Sequence, residues 1–440
     1  MADAIKDLTA SLPESQKIYQ RNARVLAQEI VGTVFIPYPF YVREAKGARV
    51  TDVDGKEYID LTMGFGPLLL GHSPDIVIEA ATEAARTGLH MGLPTPYQGE
   101  LAELVVDATP CAEKAIFCNS GTEATMYAMR VSRAYTGKDK VALFEGSYHG
   151  SHDYVLTEAD KSSERLAPHI RSRGSGVPQA TLDQLLLLPY RSDAAFDLIR
   201  QHKDELAAVI VEPVQSSNPR TDVGPFLREL SDVCRECDVL MILDEIITGF
   251  RFGYGGAQEY FNVTPDLITY GKIIGGGIPI GAVAGPSELM SLFHFTGDED
   301  ADPKGAIFSG GTFGGNPMAM RVGAAVLKHL RGHPEIYEHL SSQSQRLGKE
   351  INDFLETEGI AARLMQAESM FQLVFQKEPV ESAWDVDDST WQTGANFYAR
   401  LHVNGVIVPG IHLFFLSAAH TSEDVDTIIE AFKRTFAETR

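Results

Sequence analysis

"VLMILDEIITGFRFGYGGAQEYFNVTPDLITYGKIIGGG" (239–277) holds two short apolar runs, and each ends on ionisable side chains. The first closes on Asp244. The second, "LITYG", runs into Lys272, with three consecutive glycines close behind. Asp244 and Lys272 are 28 positions apart, enough for one helix and a returning strand. The two side chains can therefore point into one crevice from neighbouring strand ends. A carboxylate at such a place is costly unless a cation pairs with it. Lys272 by itself reads either as a solvated lysine at a strand-to-turn junction or as a nucleophile that holds a cofactor, and this segment leaves both open.

The pattern extends on both sides. "KAIFC" (114–118), "KVALFE" (140–145), "LLLLPY" (185–190) and "LAAVIVEP" (206–213) are apolar runs separated by helical patterns near 121–137, 193–204 and 224–237. Such alternation predicts βαβ units around a buried parallel sheet, with "GAVAG" (281–285) as an antiparallel addition. The ends differ. A helix near 14–30 and a hairpin-like pair with the Asp-Gly turn of "DVDGKEY" open the chain. Helices at 317–331, 335–358, 390–403 and 421–437 alternate with short strands after residue 320. The expected fold is α/β: a large domain (61–320) with a mostly parallel central sheet and helices on both faces. A smaller α+β domain (321–440) is joined by the N-terminal segment (1–60).

Bulk properties exclude several classes. The chain has 440 residues, 38 basic and 60 acidic, and a formal charge of −22. That charge repels nucleic acid and anionic membrane, so neither is an expected partner. No apolar run approaches the roughly 20 residues that span a bilayer, and the N-terminus lacks a signal-peptide pattern. The four cysteines fit a reducing, cytoplasmic setting. Cys234 and Cys237 form a CxxC inside an amphipathic helix and read as structural, with no metal site expected.

Four segments bring chemistry to the strand ends. In "FCNSGTEAT" (117–125), Ser120, Gly121 and Thr122 open a helix whose free N–H groups suit a phosphate, or form a plain N-cap. In "LFEGSYHGSHDY" (143–154), Tyr148 and His149 offer rings that can lie on a planar cofactor. Glu212 and Asp244 are strand-end acids, and Lys272 completes the set. A phosphate cradle, a stacking ring, a buried carboxylate and a strand-end lysine together describe a site for pyridoxal 5'-phosphate. The lysine amine bonds to its aldehyde and the aspartate keeps its ring nitrogen protonated.

At "NSGTEATMYAMRVSRAYTGKDKV", "FEGSYHG", "LDEIITGFR", "YGKIIGGGIPIGA" and "GGTFGGNPMAM" the chain resembles the class III, fold type I aminotransferases, in particular their glutamate-1-semialdehyde aminomutase-like subgroup. The resemblance runs from about residue 35 to the C-terminus. It implies a homodimer with shared active sites. Ser120, Gly121 and Thr122 should hold the phosphate. Tyr148 should stack on the pyridine ring, with His149 beside it. Asp244 should face the ring nitrogen and Ile246 the ring's other side, with Lys272 as the cofactor-bonding amine. Thr312 should reach the phosphate of the neighbouring subunit, and Glu212 should lie toward the substrate.

Departures from the family pattern bear on the substrate. "GVIVPGIHLFFLSAAHT" (405–421) has no carboxylate, and no arginine lies between Arg400 and Arg434. A bidentate clamp for a substrate carboxylate is therefore not evident. Phe35, Tyr38, Phe65 and His412 are the candidate substrate-lining residues, which suits an amine with an apolar body. The expected activity is transfer of an amino group from a primary amine or an ω- or β-amino compound to a 2-oxo acid such as pyruvate. The alternative is intramolecular amine transfer of the aminomutase type.

Overall fold

The computed structural model describes residues 2–27, 38–410 and 412–439. The chain divides into two compact units. The larger comprises 76–334 with the short piece 381–384; the smaller comprises 1–75, 335–380 and 385–440.

The larger unit is built on a seven-stranded sheet in the spatial order 114–118, 281–285, 267–271, 240–244, 206–211, 140–144, 185–188. Strands 206–211, 240–244 and 267–271 run parallel, as do 140–144 and 185–188 beside them. Strand 281–285 is antiparallel to both of its neighbours, as the sequence suggests. Leu206–Val211 is buried at all six positions. A strand covered on both faces needs that unbroken apolar run. Val209, Ile210, Val211, Ile242, Leu243, Leu267 and Ile268 are all fully buried, each contributing about 1.5–3 kcal/mol of burial.

Helix Gly121–Thr136 follows the 114–118 strand. Ser120 caps it by accepting from the Glu123 N–H (3.2 Å), and Gly137 ends it at φ +68°. Its N-terminus thus lies at the carboxyl end of the sheet, where such folds bind ligands. The return strand approaches that cap closely. A Cβ on Gly281 would lie 2.1 Å from the Ser120 carbonyl oxygen, so only glycine fits.

The smaller unit holds a sheet of Val42–Lys46, Arg49–Asp52, Glu57–Asp60 and Val406–Ile407. A second sheet joins Arg363–Ala367, Met370–Val374 and Phe414–Phe415. Phe397, Phe414, Phe432 and Phe436 are buried between this second sheet and helices Trp391–Val403 and Ser422–Thr439.

Several local expectations shift. The unit borders fall at 75/76 and 334/335 rather than at 60 and 320. Residues 61–75 belong to the smaller unit because Leu61 and Leu69 exchange backbone hydrogen bonds with Ile407, Phe415 and Ala418 (all 2.8 Å). Helix Pro317–Gly332 belongs to the larger one. Arg321 stacks on Tyr97 at 4.5 Å, and Lys328 pairs with Glu100. The helix expected at 14–30 is Pro13–Asn22, preceded by Ala2–Ala10; residues 28–30 lie outside the described residues. The hairpin-like pair is a three-stranded meander. A small hairpin of Thr157–Ala159 and Ile170–Ser172 went unread, because three-residue strands carry no detectable alternation. No helix among the described residues is long and apolar enough to cross a membrane.

The Gly281 contact makes a direct test. Gly281→Ala should push the Ser120 turn away from strand 281–285 and cost about 1–3 kcal/mol by overpacking. Chemical denaturation of the two proteins measures it, and an unchanged midpoint would show that the close approach is not required.

Candidate active site

The carboxyl ends of the larger unit's strands gather the ionisable groups that the sequence singles out there. Asp244, at the end of strand 240–244, is buried. Three donors hold it: His149 Nδ1 donates to Oδ2 (2.6 Å), and the Thr269 hydroxyl and the Ile246 N–H donate to Oδ1 (both 3.1 Å). His149 is buried too, and its Nε2 has no partner among the described residues.

Lys272 follows strand 267–271 with φ +46°, a left-handed conformation that costs a non-glycine residue free energy. Burial lowers its amine to about 8 against the pull of Asp244 and Glu212, which favour the charged form, while Arg251 adds to the lowering.

Glu212 closes strand 206–211 and is buried. Its Oε2 accepts from the Tyr148 N–H (2.9 Å) and Oε1 from the Ser216 N–H (3.3 Å). Burial raises its carboxyl to about 7, opposed by His149. Tyr148 presents a half-exposed ring from the same turn. The Thr125 hydroxyl donates to the His149 carbonyl (2.7 Å), and the Ser151 N–H donates to Thr122 Oγ1 (3.2 Å). The 146–152 loop is thereby docked on the start of helix Gly121–Thr136.

Ile246 packs against that helix start: a Cβ on Gly121 would lie 2.6 Å from its Cδ1. Ser120, Gly121, Thr122, Tyr148, His149, Glu212, Asp244, Ile246 and Lys272 thus surround one region. Thr312 lies in an exposed loop. Tyr38 departs from expectation. It is buried in the smaller unit and its hydroxyl meets His402 Nδ1 at 2.7 Å, so this residue serves the core there rather than a substrate surface. Its ring, with Phe40 and Tyr58, covers the His402 imidazole. Phe65 and His412, also in the smaller unit, pack edge to face with centroids 5.4 Å apart. Phe35 lies outside the described residues.

Three residues escaped the sequence reading. Thr269 is a hydroxyl inside a buried strand, and such a group needs a partner, here Asp244. Glu245 is fully buried and accepts from the Ala257 and Gln258 N–H groups (2.7 and 2.8 Å) and the Thr248 hydroxyl (3.0 Å). Side chains alternate along a strand, so the adjacent acids of "DE" had to face opposite ways. Gln215 is buried and donates to the Glu145 carbonyl (2.7 Å).

The arrangement fits pyridoxal phosphate. A helix N-terminus rimmed by small hydroxyl residues suits the phosphate. A buried acid with fixed oxygens suits a ring cation, and an amine that gives up its proton more readily than a free lysine suits an aldehyde. The unpartnered His149 Nε2 marks a polar edge left for a ligand or water.

Residues 34–436 match the family model for aminotransferase class III. The glutamate-1-semialdehyde 2,1-aminomutase of Methanopyrus kandleri is 41% identical over 429 residues, covering 96% of each chain. The solved ω-transaminase from Sphaerobacter thermophilus superposes with a TM-score of 0.90 at 31% identity, covering 97% of this chain and 98% of that one. A transaminase with pyridoxal phosphate bound superposes at 0.86 with 29% identity and the same coverage. With the family model spanning nearly the whole sequence over a fold type I scaffold, the chain belongs to the class III aminotransferases and is a pyridoxal-phosphate-dependent enzyme.

Proposed function

We propose that the enzyme transfers an amino group within one substrate molecule, as a glutamate-1-semialdehyde 2,1-aminomutase does. The supporting observation is the 41% identity, across nearly its full length, to an enzyme of that name. This displaces transfer to a separate 2-oxo acid as the leading reading. Transamination stays as the second reading. It is favoured by the 31% identity to an ω-transaminase and by the lack of any arginine between Arg400 and Arg434 to clamp a carboxylate.

Bound pyridoxal phosphate supplies an aldehyde carbon for exchange of amines and a ring that draws electrons from the substrate carbon. The protein's residues do the rest. Lys272 would be the residue whose amine holds the cofactor's aldehyde, and its Nζ is the group that would hold the proton exchanged at the substrate carbon. Burial keeps that amine partly neutral near pH 8, as both tasks require. Asp244, fixed by His149, Thr269 and the Ile246 N–H, would set a negative charge against the ring nitrogen. Ser120, Gly121 and Thr122 bind the phosphate through the helix N-terminus. Glu212 holds the Tyr148 backbone, and the Tyr148 ring would cover one face of the cofactor while Ile246 would cover the other.

The enzyme is proposed to work as a homodimer with shared sites. Leu89, Met91, Leu93, Phe308 and Phe313 of the larger unit are exposed, and His90 packs on Phe313 with centroids 5.2 Å apart. Such a concentration of apolar side chains beside the Thr312 loop suits a second copy that receives Thr312 at its phosphate.

Four outcomes check these readings. Glutamate-1-semialdehyde should be converted by the holoenzyme without added 2-oxo acid; product appearing only when pyruvate is supplied would instead establish transamination. In either assay Asp244→Asn should fold normally and lose about 100-fold or more in kcat, as loss of a charge-stabilising group does. In the cofactor-free protein, Lys272→Met should be more stable than wild type at pH 7, by up to about 3 kcal/mol. The wild-type amine binds its proton less tightly folded than unfolded. Its penalty is therefore full below pH 8 and fades as pH rises to 10.5. Denaturant melts across that range should show the gap closing, and a constant gap would reject the lowered amine. Phe308→Asp with Phe313→Asp should sediment as a monomer, where an unchanged dimer would place the interface elsewhere.

A further inference from the structure

The short piece 381–384 sits in the larger unit although the residues on both sides of it belong to the smaller one. It lies against the turn that leads into Tyr148. A Cβ on Gly146, which has φ +76°, would be 2.3 Å from the Ala383 Cβ. The Ser217 hydroxyl donates to the Gly146 carbonyl (2.8 Å), and Asn218 Nδ2 donates to the Glu381 carbonyl (2.9 Å). Asn218 and Ser382 are buried. Arg165 Nη2 reaches the Ser382 hydroxyl at 3.4 Å.

The Glu381 carboxylate anchors this piece. Its Oε2 accepts from Arg191 Nη1 (2.7 Å) and Arg220 Nη1 (2.9 Å). Both arginines also bind Asp222 Oδ2, at 3.0 and 2.6 Å. Two guanidinium groups and two carboxylates thus alternate in a closed ring of four ion pairs. The arginine side chains are only 20% exposed, and Arg191 holds its place with φ +55°. Isolated surface pairs are worth little, but a network with largely covered arginines fixes geometry.

We infer that Glu381 is a positioning residue for the cofactor ring: through Arg191 and Arg220 it clamps residues 381–384 onto Gly146 and so fixes the turn that presents Tyr148. None of the sequence motifs includes it. The inference rests on the reading that Tyr148 stacks on pyridoxal phosphate. Nothing in it requires Glu381 to touch substrate or cofactor. It acts through Ala383 on the backbone two residues before the ring.

The test uses the holoenzyme and reads the cofactor itself. Glu381→Gln should weaken cofactor binding by about tenfold, within the range that contacting residues couple. It should also diminish the visible circular dichroism of the bound cofactor, which reports how firmly the ring is held. Glu381→Asp, which keeps the charge, should recover most of both. A Glu381→Gln protein that melts lower but keeps the wild-type dissociation constant and dichroic band would overturn the inference, since a purely structural role predicts that result. Should Glu381→Gln fail to fold, Ser217→Ala removes the neighbouring tie to Gly146 and should shift both readouts the same way; wild-type values for it would equally overturn the inference. Tyr148→Ala separates the two layers. Unaltered binding and dichroism in that variant would sink the stacking role, whereas altered values there with wild-type values for Glu381→Gln would sink the clamp alone.

Discussion

A carboxylate taken out of water at the tip of a buried strand is the constraint around which the larger unit is arranged. Asp244 is tolerable there because three donors meet it: an imidazole from the 146–152 loop, a hydroxyl from the neighbouring strand and a backbone N–H two residues on. Each donor fixes a different element. The histidine draws in the loop that carries Tyr148, the threonine sets the register against strand 267–271, and the N–H orients Ile246 toward the helix cap. Lys272 then follows from that register, one residue past the end of the paired strand. Removing the acid would leave those donors buried without an acceptor, at the cost unsatisfied polar groups carry.

Much of this was legible because the apolar runs are long, uninterrupted and bounded by ionisable residues. Strands 114–118, 206–211 and 240–244 declare themselves in that way, and the antiparallel "GAVAG" follows from its glycines and shortness. The candidate site was legible in its strand-end acids and lysine for the same reason. What escaped depends on long-range pairing. No local pattern tells that Thr269 would find Asp244, or that Tyr38 would turn inward to a histidine 364 positions later. The unit borders shifted because backbone hydrogen bonds from Leu61 and Leu69, not composition, decide where residues 61–75 belong.

Reaction type and substrate lie on different levels of the same structure. Chemistry at the strand ends is set by burial, strand register and a helix terminus, features of the scaffold that this chain shares with solved transaminases. That is why an aminomutase and an ω-transaminase can both resemble this chain over almost its full length. The acidic surface, with a net charge of −22, adds a general preference against polyanions without selecting among small amines.

The left-handed backbone at Lys272 has an evolutionary consequence. At φ +46° a glycine or an asparagine would sit with less strain than lysine does. Selection for thermal robustness alone would therefore favour replacing the residue at 272. Its retention in any descendant would record purifying selection on chemistry, and its loss would come with a gain in conformational ease that a decayed, non-catalytic copy of the gene would be free to take.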